Sequence, residues 1–198
     1  MKITLGGPPG AGKGTVGRLV AAHYGYEFIS GGDLFRKAAA ARGMTMEAFD
    51  TYMKEHPEAR IDHEIDGLQV DIGKHQDNFV LESRLAWHFA PQSIKIKIDG
   101  ELDERIRRIS KVSSVDRIAY TQDDFDETKR KTLKRFSDHQ AKILELYGIA
   151  DLVADEHFDI VIDSTGISAE GVAKKTIEAI ETYVAEHPEK RGADARQK

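Results

Sequence analysis

Residues 6–15 read GGPPGAGKGT, and no other stretch of the chain restricts its fold as much. Lys2–Leu5 ahead of it is a short strand-like run, and TVGRLVAAHYG behind it repeats Val16, Leu19 and Val20 at helical spacing before stopping at Gly25. The order is strand, tight loop, helix. Glycines let the backbone curl until successive N–H groups point inward, and the start of the next helix adds its positive dipole end. Such a loop suits a polyphosphate, with Lys13 reaching the β- and γ-phosphates. Gly7, Gly12 and Lys13 keep the spacing of G-x-x-x-x-G-K-[ST]. Gly14 then follows the lysine, and the hydroxyl that would serve Mg2+ comes one residue later, at Thr15.

At 198 residues the chain can bury one real core, so a single domain with insertions is expected. With 32% charged residues and a net charge of −5 it lacks the basic surplus of a nucleic-acid binder, which predicts small-molecule partners. No apolar run approaches the ~20 residues that span a bilayer, and MKITLGG enters a strand with no signal-peptide pattern. No cysteine is present, which excludes disulfides, thiol catalysis and cysteine-ligated zinc. A cytoplasmic monomer without membrane or nucleic-acid partners is the expectation. The eight histidines show no metal-ligand spacing and read as surface residues.

Strand-like runs recur at Lys2–Leu5, Glu27–Ser30, Asn78–Glu82, Ser93–Asp99 and Phe158–Asp163, separated by segments of helical period. This predicts an α/β fold with a five-stranded, mostly parallel sheet. Residues 31–77 and 100–157 are longer than a crossover needs, and both leave from carboxyl strand ends, where ligands bind in open α/β sheets. The pattern gives one domain over 1–187. Its core is 1–30, 78–109 and 148–187, with an acceptor-side insertion at 31–77, a lid at 110–147 and a disordered tail at 188–198.

Further candidate residues stand at strand ends. SGGDLFR, residues 30–36, offers a helix start with Ser30, Gly32, Asp33 and Arg36, the guanidinium suited to a phosphate. NFVLESRL places Glu82 where it can serve Mg2+ through water, and Arg84 as a second clamp on an acceptor phosphate. LDERIRRISKV stacks Arg105 and Arg108 on adjacent helical turns, and arginines follow at 117, 130 and 135. In RIDHEID, Arg60, Asp62 and Asp66 sit on one predicted helix, with the two acids four apart on one face.

GGPPGAGKGT, FISGGDLFR, LESRL and IKIDGELDERIRRI, in this order, resemble the nucleoside monophosphate kinases, and within them the short cytidylate kinases of archaea and some bacteria. The resemblance covers about residues 1 to 185 and implies a P-loop NTPase fold, ATP as phosphoryl donor and Mg2+. It implies that Gly7, Pro8, Pro9, Gly10, Ala11, Gly12, Lys13, Gly14, Thr15 and Arg108 hold ATP. Ser30, Gly32, Asp33, Arg36, Arg84, Asp62 and Asp66 would hold CMP or dCMP, and Thr15, Glu82 and Asp33 would serve Mg2+. Lys13, Arg84, Arg108 and Arg130 would stabilise the transferring group. The lid departs from the family at Val112, Thr121 and Thr132, so Lys111, Arg130 and Arg135 are the expected substitutes. Other readings the residues admit are an AMP kinase, a kinase of a small hydroxylated metabolite with Asp33 as base, and an ATP-binding regulator.

Overall fold

The computed structural model describes residues 1–111 and 125–191. The expectations for Val112, Arg117, Thr121 and the last seven residues lie outside this range.

Five strands, β1 (Lys2–Gly6), β2 (Glu27–Ser30), β3 (Phe79–Glu82), β4 (Ile94–Asp99) and β5 (Ile160–Asp163), form one parallel sheet in the order β2-β3-β1-β4-β5. The helices are α1 (Lys13–Tyr24), α2 (Gly31–Ala41), α3 (Met46–Glu55), α4 (Ile61–His75), α5 (Ala86–Phe89), α6 (Leu102–Lys111), α7 (Phe125–Tyr147) and α8 (Ala169–Glu186). The chain moves outward from β1 to β2, returns through β3, then crosses β1 to reach β4. The loop after β1 therefore opens at the point where the strand order reverses.

The two-residue period of the strands decides which side chain enters which layer. Ile3, Leu5, Val80, Ile94, Ile96 and Ile98 pack with Val16 and Val20 of α1 and with Val172, Ile180 and Val184 of α8. Phe79 and Leu81 point to the other face, against Ala86 and Ala90. On that second face Thr4 is fully buried and shares a 2.8 Å hydrogen bond with Ser93. Lys97 is buried there between Asp155 at 2.8 Å and Asp99 at 2.9 Å. A separate small core of Ala39, Phe49, Ile61 and Ile65 holds α2, α3 and α4 together.

Three boundaries differ from the sequence expectation. Arg60 is not part of the helix that follows; it caps α4 in the left-handed region at φ 47°. The second half of α7 belongs to the body: Phe136, Ile143 and Tyr147 pack on Leu85, Phe89 and Leu152, whose apolar surface the expected lid would have left uncovered. Residues 188–191 form a 3-10 turn whose Lys190 ammonium donates to the Gln92 and Ser93 carbonyls at 3.1 and 3.2 Å. Among the described residues no helix is long and apolar enough to cross a membrane.

Gly7 ties the loop after β1 to the sheet. At φ 125° it adopts a conformation that side chains rarely enter, and a Cβ there would lie 2.1 Å from the Ile98 carbonyl oxygen. Gly7→Ala should therefore cost about 2 kcal/mol or more and lower the melting temperature by several degrees. A melt superimposable on the parent's would show that the loop is not held by this contact.

Candidate active site

The parallel register sets Gly6, Ser30, Glu82, Asp99 and Asp163 at the carboxyl ends of the five strands, and the candidate residues gather along that edge. Gly7, Gly10 and Gly12 all have positive φ, so the loop between β1 and α1 turns its backbone inward before the helix starts at Lys13. A Cβ at Gly12 would meet nothing within 4 Å, which leaves the amino end of α1 open to a ligand. Lys13 folds back so that its ammonium donates to the Pro8 carbonyl at 2.8 Å, spanning the loop it would serve. Gly14 accepts from Arg18 at 3.1 Å, and Thr15 is exposed in the first turn of α1.

Burial pushes the Lys13 ammonium below its ordinary value; Glu82 and Asp99 pull it back up, while Arg84 and Arg105 add to the fall. Four charged groups from two strand ends and α6 thus converge on one lysine. Of the two candidate arginines among the three on α6, Arg105 borders the loop. Its guanidinium donates to the Gly100 carbonyl at 2.8 Å and to the Pro9 carbonyl at 3.0 Å. Arg108 instead reaches the loop after β5, donating to the Ser164 hydroxyl at 2.8 Å and its carbonyl at 2.6 Å, with Glu104 at 3.3 Å.

On the acceptor side, Ser30 caps the start of α2 and donates its hydroxyl to Glu82 at 3.0 Å. Gly32 follows in the first turn, where a Cβ would come 3.4 Å from the Arg36 guanidinium. Asp33 accepts from Arg36 and stands 3.9 Å from Arg18, so its carboxylate already faces two guanidinium groups. Arg84 donates to His139 Nδ1 at 3.0 Å. Burial, and then the charges of Arg84, Arg135, Lys142 and Lys54, hold His139 at about 3, well below its ordinary value. Four basic residues from three elements, α3, the turn after β3 and α7, are therefore felt at one neutral imidazole.

Asp62 and Asp66 share a face of α4, as their spacing predicts, but that face is turned to α7. Lys142 donates to Asp62 at 2.6 Å and Tyr147 to Asp66 at 2.5 Å. Arg130 pairs with Glu127 through two 2.7 Å hydrogen bonds on its own helix. Thr132 is buried, and Lys111 is exposed at the end of α6. Sequence reasoning passed over Asp99, His139, Lys142 and Tyr147, and read the histidines as surface residues. His139 and His157 are half-buried, the latter stacked on Trp87 at 3.9 Å between ring centres. The recurrence of Arg135, His139 and Lys142 at helical spacing was the available signal for one functional face.

A phosphate loop at the reversal point of a five-stranded parallel sheet, with acidic and basic groups converging on its lysine, defines the fold as that of a P-loop kinase. The family model described as an AAA domain matches residues 6–88. Among solved structures, the fold is similar to a shikimate kinase from Acinetobacter baumannii solved with shikimate. The TM-score is 0.61 at 20% identity, over 92% of this chain and 93% of that one. It is also similar to an uncharacterized protein from Eubacterium ventriosum, with a TM-score of 0.64 at 14% identity over 92% and 99% of the two chains. In sequence it is 38% identical over 165 residues to a cytidylate kinase of Methanococcoides burtonii, covering 83% of this chain and 88% of the relative. It is 35% identical over 182 residues to a cytidylate kinase of Archaeoglobus fulgidus, covering 91% and 95%. The chain belongs to the cytidylate kinase family and is a nucleoside monophosphate kinase.

The His139 contact sets a pH dependence. Its folded value of about 3 lies below the unfolded value of about 6.5, so the unfolded chain takes up the proton first as pH falls. The stability it contributes is full above pH ~6.5 and is lost progressively toward pH ~3. His139→Gln should flatten the fall in melting temperature between pH 7 and pH 4; an acid limb as steep as the parent's would contradict this placement.

Proposed function

We propose that the protein transfers the γ-phosphoryl group of ATP to CMP or dCMP, giving ADP and the cytidine diphosphate. The observation that carries this reading is the convergence on Lys13 of Glu82 and Arg84 from the acceptor side with Arg105 and Asp99 from the donor side. The open amino end of α1 and the amides of residues 7–15 suit the triphosphate, and the positive φ values at Gly7, Gly10 and Gly12 are what a backbone cradle requires. Arg108, braced on Ser164, is assigned to the donor nucleotide. Arg36 and Arg84 are assigned to the acceptor phosphate, released from Asp33 and His139 when a stronger anion arrives.

Mg2+, when bound with the nucleotide, neutralises charge developing on the phosphoryl oxygens. The Thr15 hydroxyl and, through water, Glu82 would hold it, while Asp33 pairs with Arg36 and stands 3.9 Å from Arg18. The acceptor is a phosphate oxygen that is anionic at neutral pH, so no side chain need remove a proton. The oxygen attacks the γ-phosphorus, the bond to the β–γ bridging oxygen breaks, and ADP leaves with that electron pair. Positioning and charge neutralisation supply the catalysis. A kinase of a hydroxylated metabolite would instead need a carboxylate, for which Asp33 is the candidate, to accept the hydroxyl proton.

Coupled measurement of ADP release with CMP, dCMP, UMP, AMP, GMP and a shikimate-like alcohol tests the proposal. CMP or dCMP should give the highest kcat/KM, exceeding AMP by about 100-fold or more. AMP preferred over CMP would overturn the base assignment, and turnover of the alcohol alone would overturn the acceptor class.

A further inference from the structure

The groups assigned above to the acceptor stand at the ends of β2 and β3, on one side of the phosphate loop. The nucleoside of the donor therefore falls over the ends of β4 and β5, on the other. On that side the loop after β5 begins with Ser164, which is fully buried. Its amide donates to the Asp99 carbonyl at 2.9 Å, and its hydroxyl donates to the same oxygen at 2.7 Å. The hydroxyl also accepts from Arg108 Nη1 at 2.8 Å, while the Ser164 carbonyl accepts from Nη2 at 2.6 Å.

The direction of every proton in this cluster is fixed. A carbonyl only accepts and a guanidinium only donates, so the hydroxyl hydrogen has to point at Asp99 and a lone pair at Arg108. Ser164 thus holds both terminal nitrogens of the guanidinium in a fork, and Glu104 stands 3.3 Å from Nε. The fork leaves one N–H on each terminal nitrogen for a ligand, and the Arg108 side chain is still 26% exposed. Gly100 permits the close approach, since a Cβ there would lie 2.9 Å from Ser164 Oγ. The Gly100 carbonyl accepts from Arg105 Nε, and Arg105 Nη1 donates to Pro9 in the phosphate loop. Thr165 adds a second tie, its hydroxyl oxygen accepting from the Glu101 amide at 2.9 Å. The loop after β5, the turn after β4 and the phosphate loop form one hydrogen-bonded frame, and Arg108 is mounted on it.

We propose that Ser164 is a positioning residue for the phosphoryl donor. Buried behind Arg108, it acts through that guanidinium, holding it in place relative to the phosphate loop so that one nucleoside triphosphate meets both. A free arginine gives up rotamer freedom when a ligand arrives; one already held by Ser164 does not. The inference rests on the nucleoside monophosphate kinase reading of this site.

Calorimetric titration of ATP, and separately of CMP, into the parent, Ser164→Ala, Arg108→Ala and the double variant tests it as a double-mutant cycle. Ser164→Ala should weaken ATP about fivefold or more and leave CMP within about twofold of the parent. The residue 164 amide still ties the loop to Asp99 in that variant, so the loop keeps its place while the fork on Arg108 is halved. In the Arg108→Ala background the same substitution should change ATP affinity by less than about twofold, because the arm through which the serine acts is gone. A packing role would instead weaken ATP by the same factor in both backgrounds; that result overturns the inference, as does unchanged ATP affinity in Ser164→Ala. If Ser164→Ala does not fold, Ser164→Cys, whose thiol is only a weak hydrogen-bonding group, replaces it in the cycle. The expected cycle without phosphoryl transfer to any nucleotide would overturn the kinase reading and leave the role of Ser164 standing.

Discussion

The site depends on how closely β4 approaches the loop after β1. Gly7 lies against the Ile98 carbonyl so tightly that no side chain fits, and Arg105 then holds the next turn by donating to the Pro9 carbonyl. Both contacts are to backbone, so the loop is shaped by the sheet and by α6 before any ligand arrives. Gly10 is pinned in the same way, since a Cβ there would fall 2.5 Å from the Arg105 carbonyl. A cradle whose amides are already turned inward does not spend binding energy on ordering itself. Lys13 lies across this same loop, its ammonium donating to the Pro8 carbonyl.

The remaining strand ends bring the acceptor side to the same edge. β3 delivers Glu82 and Arg84 next to Lys13 because it pairs directly with β1, and β2 delivers Ser30 to Glu82 because it pairs with β3. What closes the acceptor side from above is α7. It meets α4 through Lys142 with Asp62 and Tyr147 with Asp66, and meets the turn after β3 through His139 with Arg84. One helix thus contacts both Arg84 and the two acids of α4, which ties the turn after β3 to α4 within a single packed element.

The strands, the phosphate loop and the helix boundaries near Gly25 and Gly148 were legible because their signals are local: alternation, helical period and glycine punctuation. The acids of α4 were legible as a pair but not as to their partners. Asp62 and Asp66 read equally well as a solvated face or a base-reading face, and the residues that claim them lie 80 and 81 positions further on. The same limit applies to α6, where helical spacing shows that Arg105 and Arg108 are neighbours but not that the loop takes the first and Ser164 the second. Residues 188–191 looked as though they had nothing to bury, yet Lys190 is anchored by two backbone carbonyls, a contact that carries no hydrophobic signature.

The central claim is that the phosphate loop is held in a binding conformation by its ties to β4 and α6. Calorimetric titration of ATP into the Arg105→Ala protein tests it most directly. If the clamp on Pro9 preorganises the loop, ATP affinity should fall by about tenfold or more, with one site still titrating and the added cost appearing as unfavourable entropy. ATP binding with unchanged affinity and unchanged entropy in that variant would contradict the account.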